Sequence, residues 1–383
     1  MRILGHFGLA NRWPVLLGGA LTLALSAVLA PALSPAPPAG ATAVTTRVLC
    51  GAGVDPYSYP DRALAACGDL YYPVQRTYPL PDGGRAYVYA TPGGATTFYV
   101  PRAGVNPFLA SAPVRAAYGL PAPPASGPAR ALWDLAASRA QFVDPGNFIV
   151  AVPASLSAVG KITTQKNNWG GYNTTGKDVT EVNAAWTEPK IVKSCPDSSE
   201  AVWDGLGYKS TYLAQAGTGY GIKGIGKHQA LWYIVQPDTL NGGYPYPIKG
   251  LYATAGQYFS VQITKPSRHS ASFQFLMENT KTGKIASFSK SEAQDLKPTY
   301  AAAVVEYPYT IDKAVSNFGS VTFTDVEANE RGFGAYKLDK DIMTGPYKSR
   351  TAGLAETGKL TDDAFGATFF VKYHAPSQYC KYD

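Results

Sequence analysis

The chain has 383 residues with 34 basic and 27 acidic side chains, a net charge of +7, and 16% charged residues against roughly 25% in an average soluble domain. Its 39 Gly and 30 Pro argue against a helical bundle, and its 12% aromatic content argues against a disordered chain. The basic residues form no cluster of the kind that binds nucleic acid, so nucleic acid is not expected as a partner.

The N-terminus carries the first readable element. Arg2 and Arg12 precede an uncharged run from Val15 to Leu33, Ser34-Pro-Ala-Pro-Pro38 closes it, and Ala41-Thr-Ala43 fits a small-x-small cleavage site. Residues 1–43 therefore read as a secretory signal peptide, with an uncleaved anchor as the alternative because the run approaches spanning length. Export places Cys50, Cys67, Cys195 and Cys380 in an oxidising compartment, where four cysteines allow three disulfide pairings. Pairing Cys50 with Cys67 and Cys195 with Cys380 keeps each bridge within one compositional block. No C-x-x-C spacing points to zinc or redox chemistry.

Those blocks meet at residue 160. Residues 1–160 contain neither Lys nor Glu, and every Lys and Glu lies from Lys161 onward. This reads as a boundary between an N-terminal region, 44–160, and a second domain, 161–383. Within the first, Ser126-Gly-Pro128 starts a helix whose apolar positions are Ala129, Leu132, Trp133, Leu135, Ala136 and Ala140.

Beyond the boundary the pattern turns to period two. Phe259, Val261 and Ile263 share one face of a strand, and the stretches 271–278 and 284–289 flank the turn Asn279-Thr-Lys-Thr-Gly283. Further strands are expected at 179–186, 212–216, 230–236, 301–307, 320–326 and 367–373. Many short strands without intervening helices predict an all-β antiparallel sandwich or barrel, preceded by a small mixed region with one helix.

A search for chemistry proceeds mainly by elimination. After residue 43 the chain has three histidines, His228, His269 and His374, with no H-E-x-x-H, so no metal site is expected. There is no G-x-S-x-G elbow. Ser287-Phe-Ser-Lys290 matches S-x-x-K but falls in a strand, and Gly217–Gly226 reads as a solvated loop. Asp339-Lys-Asp341, Asp362-Asp363 and the sequon Asn173-Thr-Thr175 read as turns. Two polar residues stand out: Gln215 in an apolar strand, and Glu306 closing Ala301-Ala-Ala-Val-Val. A carboxylate there must be paired, solvated or functional.

At these residues the chain resembles the eqolisins, the glutamic peptidase family. The resemblance runs from about Asn168 to Tyr373. It is carried in order by Asn168-Trp-Gly-Gly-Tyr172, Val182-Asn-Ala-Ala-Trp-Thr-Glu-Pro189, Ala201-Val-Trp203-Asp-Gly205 and Leu213-Ala-Gln215-Ala-Gly217, then by Ala230-Leu-Trp232-Tyr-Ile-Val-Gln-Pro237, Glu278-Asn-Thr-Lys-Thr-Gly283 and Ala303-Val-Val-Glu306. The resemblance implies a two-sheet antiparallel sandwich, a concanavalin-like jelly roll, and an endopeptidase that acts on polypeptides, without cofactor or metal, at acidic pH. It assigns Glu306 as general base and acid on water, Gln215 as oxyanion donor, and Trp169, Trp203 and Trp232 to substrate binding near the cleft.

It also implies a zymogen, with 44–160 as prosegment and self-cleavage near residues 150–165. The mature protein is expected to be a secreted monomer without stable membrane association. Three family acidic positions hold Gly207, Gly219 and Ile234 here, which should lower the pKa of Glu306 relative to the family and shift the pH optimum. The competing reading is a non-catalytic sandwich, a carbohydrate- or wall-binding module or an inactive relative, whose exposed tryptophans stack on sugars.

Overall fold

The structure, a computed structural model, describes residues 71–374 except 92–93, 124, 146–147, 151–167, 176–177, 193–197, 209–211, 221–229, 237–244, 268, 292–296, 307–313, 342, 344–353 and 364–365. The signal segment and all four cysteines lie outside the described residues. No helix among the described residues is long and apolar enough to cross a membrane.

Two antiparallel sheets pack face to face, a two-sheet sandwich of the kind the family resemblance implies and not the barrel that the strand pattern also allowed. The front sheet runs in the order Tyr246–Tyr252, Ala230–Gln236, Tyr212–Tyr220, Ser198–Tyr208, Tyr300–Glu306, Trp169–Thr175 and Lys337–Asp341. The centre of the back sheet runs Gly366–Tyr373, Ser320–Ala328, Glu181–Thr187, Tyr258–Thr264, Ser272–Asn279 and Lys284–Ser291. The hairpin at Asn279–Gly283 forms where expected. Asn279 Oδ1 accepts the Thr282 N–H at 3.2 Å, and Gly283 takes the positive φ of 68° that the turn needs.

Alternation decides which side chains fill the sandwich. Phe259, Val261 and Ile263 from the back sheet face Val202, Leu206, Ala214, Ala216, Tyr233, Ala303 and Val305 from the front sheet in one continuous core. Each large apolar side chain so buried contributes about 1.5–3 kcal/mol. The Trp186 indole N–H crosses the gap to Thr218 Oγ1 at 3.0 Å, joining the sheets by a polar contact as well.

Sheet pairing crosses the compositional break at residue 160. Strands Tyr71–Pro79, Arg85–Thr91 and Gly94–Val100 continue the back sheet past Lys284–Ser291. The expected helix spans Gly127–Arg139 with Ser126 at its N-cap and Pro128 in its first turn. It buries Ala137, whereas Leu135 is exposed. A shorter helix, Ala112–Ala117, was not foreseen.

Four turn assignments are corrected by the strands, and Asp362 and Asp363 lie in one of them, Thr361–Asp363. Asp339 and Asp341 belong to an edge strand, Lys337–Asp341, and Asp341 is buried. The Asn173 sequon lies in strand Trp169–Thr175, where Asn173 is buried and its amide donates to Asp341, so it is no exposed glycosylation acceptor. Strand Tyr212–Tyr220 continues through Gly217 and Gly219, which the sequence reading gave to a loop.

Candidate active site

Register places Gln215 and Glu306 on one face of the front sheet, opposite the sandwich core. Gln215 pairs with Gly205, and Gly205 with Ala302. Glu306 pairs with Ala201 on one side and Trp169 on the other. Since residues two apart share a face, Glu306, Val304, Ala302, Trp203, Gln215, Trp232 and Trp169 all project together. The apolar members form a second small cluster: Trp169, Ala201, Trp203, Leu213, Trp232, Ala302 and Val304.

Trp203 stands midway between the two polar residues. Their strands are separated by Ser198–Tyr208, with an offset of four residues in register. Flat-sheet spacings would put the two Cα atoms about 16 Å apart. No hydrogen bond joins their side chains, and Trp203 lies between them.

Glu306 is held by donors on neighbouring strands. The Trp203 indole N–H donates to Oε2 at 2.8 Å, and the Asn168 amide donates to Oε1 at 3.0 Å. The carboxyl is pushed up to about 7 by burial, against the opposing pull of Trp169, Trp203 and Asn168. The Trp169 N–H favours the carboxylate too, without making a well-formed hydrogen bond to it. Glu306 thus exchanges its proton near neutrality, the range in which a carboxyl can take a proton from water and give it back.

The rest of the face is polar in an unusual way. Gln215 Oε1, Trp169 Nε1 and Trp232 Nε1 are buried and have no hydrogen-bond partner in the structure. Buried polar groups are normally satisfied, so three orphans on one face beside a carboxyl mark a place for a ligand rich in N–H and C=O groups.

Two glycines make this face possible. A Cβ at Gly217 would sit 2.0 Å from the Val202 carbonyl oxygen and 2.6 Å from Trp203 Cβ, so only glycine lets the neighbouring strand present Trp203. A Cβ at Gly207 would sit 2.0 Å from the Tyr300 ring. Tyr300 therefore fills the space at a position where the resemblance expects an acid. Its phenol is raised by burial first, and then by the charges of Asp341 and Glu306, so it stays neutral.

The structure thus brings Gln215, Glu306, Trp169, Trp203 and Trp232 onto one face. It leaves the three tryptophans at most 4% exposed, which removes the exposed sugar platform of the competing reading. Trp169 and Trp203 pack edge to face at 5.0 Å, with Trp203 oriented to bond Glu306. Sequence reasoning noted Asn168 only as the start of a motif. Its register beside the strand that ends in Glu306 was the available signal, and strand pairing could not be read from one sequence. Among the described residues the acidic neighbours absent at Gly207 and Gly219 have no replacement, since none of their carboxylates contributes to the position of Glu306 on the pH scale.

A two-sheet antiparallel sandwich that carries a glutamate and a glutamine amide on one face of its front sheet is the arrangement expected of a glutamic-type peptidase. The profile of the Peptidase A4 family matches residues 167–358, half of the chain, and the chain belongs to that family, the eqolisins. It is 25% identical over 222 residues to Aspergillopepsin-2 of Aspergillus niger, covering 50% of this chain and 76% of that protein. Among solved structures it is similar to scytalido-glutamic peptidase with a transition state analog inhibitor, at 18% identity and a TM-score of 0.43, covering 54% of this chain and 98% of that one. It is also similar to aspergilloglutamic peptidase from Aspergillus niger, at 20% identity and a TM-score of 0.32, covering 46% and 100%.

Proposed function

We propose that the protein is a secreted endopeptidase in which Glu306 activates water and Gln215 stabilises the oxyanion. The observation that carries this reading is a half-buried Glu306, pushed up to about 7, on the same face as Gln215, whose amide oxygen is unpartnered, and two unpartnered indoles. A peptide laid across this face supplies carbonyls to Trp169 and Trp232 and sets its scissile carbonyl over Trp203. Glu306 as carboxylate takes a proton from water as the water attacks, and returns it to the leaving amine. The Gln215 N–H donates to the developing oxyanion without adding a charge that would disturb Glu306; such a donor contributes about 2.7–4 kcal/mol elsewhere.

The base form of Glu306 is scarce far below pH 7. Burial outweighs the lowering expected from the absent acids at Gly207, Gly219 and Ile234, so the acidic optimum implied by the family resemblance is displaced toward neutrality here, with the acid limb of kcat/KM near pH 7. The same reading takes residues 1–43 as an export signal. Self-cleavage near residues 150–165 then separates the N-terminal region covalently from 161–383. The test is digestion of a denatured protein across pH 2–8, with sequencing of the product termini. Wild type should cut internal peptide bonds, Glu306→Gln should be inert, and Gln215→Ala should retain about 1% or less of kcat. Equal cleavage by wild type and Glu306→Gln would overturn the assignment.

A further inference from the structure

Resting on the self-cleavage proposed above, we infer that the N-terminal region remains a non-covalent structural subunit of the working protein after the chain is cut near residues 150–165. A prosegment that leaves must dock on a partner whose core is complete without it. The described residues show the reverse, on three surfaces of the sandwich.

The first surface is the sheet edge. Gly94–Val100 pairs with Lys284–Ser291 through Phe98–Phe288, Thr97–Ser289 and Thr96–Lys290, and Gln141–Phe142 adds a parallel pair at the other end of the same strand. Without these partners Lys284–Ser291 becomes an open edge, a template for aggregation.

The second surface is the core itself. Tyr72, Tyr89 and Phe98 belong to the same buried cluster as Tyr233, Tyr246, Phe275 and Phe288. Phe98 stacks on Phe288 at 4.7 Å, and the Tyr233 hydroxyl donates to Thr96 Oγ1 at 3.3 Å. Lys290 is 2% exposed, and its ammonium donates to Thr91 Oγ1 at 2.9 Å and to the Gly94 carbonyl at 3.1 Å. Removing the N-terminal region strips two acceptors from a buried cation, a change the remaining sandwich tolerates poorly.

The third surface is the outer face of the back sheet. Leu80, Phe108, Tyr118 and Leu120 pack with Ile285 and Leu276 in a separate apolar cluster. The Ser287 hydroxyl donates to the Tyr118 carbonyl, and Tyr99 shares a hydrogen bond with Ser289 at 2.9 Å. The side chains that make S-x-x-K look like a motif, Ser287 and Lys290, are therefore both spent on holding the N-terminal region.

The experiment cuts the folded full-length chain without using its own activity. A recognition sequence for an unrelated protease is inserted between residues 150 and 168, the purified protein is nicked, and the product is run on a native sizing column in reductant. Both fragments should co-elute at the position of the uncut protein and separate only on a denaturing gel. Elution of the N-terminal fragment apart from 161–383 would overturn the inference. Phe98→Ala, nicked in the same way after its uncut form is shown to be folded, should weaken fragment association at least about 100-fold. Association unchanged from wild type would equally contradict it.

Discussion

Replacing Trp203 with Phe tests how the peptidase sets the proton affinity of its glutamate. The ring and most of the packing against Trp169 remain, but the indole N–H that donates to Glu306 Oε2 at 2.8 Å is lost. A hydrogen bond to a charged group contributes about 1.5–3 kcal/mol, and this one favours the carboxylate over the acid. At 1.36 kcal/mol per pH unit, its loss moves Glu306 from about 7 to about 8–9. The assay is kcat/KM on a quenched fluorescent peptide from pH 4 to 10. The acid limb should move up by about one to two pH units, and activity at pH 5 should fall about 10- to 100-fold. Activity should recover toward the wild-type plateau above pH 9. An unmoved limb with a uniformly lower plateau would refute the reasoning, since Trp203 would then act by packing alone.

Other outcomes follow from the same geometry. Trp232→Phe, which removes an indole N–H that makes no bond to Glu306, should raise KM while leaving the acid limb in place; a moved limb would contradict the assignment. Gly207→Ala should destabilise the fold by about 1–3 kcal/mol in urea, because its Cβ meets the Tyr300 ring, and Tyr300→Ala should relieve most of that loss. Stability should be greatest in acid. Burial raises Glu278, Glu306 and Glu327 to about 7, and raises Glu200 and Asp204 as well. The unfolded chain releases these protons near pH 4–4.5 while the folded chain keeps them, so stability falls as pH rises from there through 7 and above. Glu306 alone accounts for about 3 kcal/mol of that fall, and Glu306→Gln should flatten the curve of melting temperature against pH by this share. A melting temperature that climbs from pH 4 to 8 would contradict it.

Most of the sandwich was legible because its back sheet alternates. Phe259, Val261 and Ile263 face the core while Ser260, Gln262 and Thr264 do not, which gives a clear period of two. The strands that escaped notice lack that signal for physical reasons. Ser198–Tyr208 is buried almost end to end on both faces and carries Glu200 and Asp204 into the interior, so no alternation shows. Tyr246–Tyr252 and Lys337–Asp341 contain Pro247 and a run of charge, features tolerated on the sheet edges they occupy. The two polar residues of the site were visible as misfits in apolar strands. Their hydrogen-bond partners were not, because Asn168 and Trp203 reach Glu306 only through pairing across three strands. The break at residue 160 was legible as composition, whereas the pairing of Gly94–Val100 with Lys284–Ser291 across it was not, because it depends on contacts distant in sequence.

The most direct test of the proposed mechanism is the pH dependence of kcat/KM for the wild-type protein on a single peptide, set beside Glu306→Gln. The expected result is one ionisation near pH 7 that limits activity on the acid side, with Glu306→Gln inactive at every pH. Full activity at pH 4 with no ionisation between 5 and 8, or a Glu306→Gln variant that still turns over, would contradict Glu306 as the base that activates water.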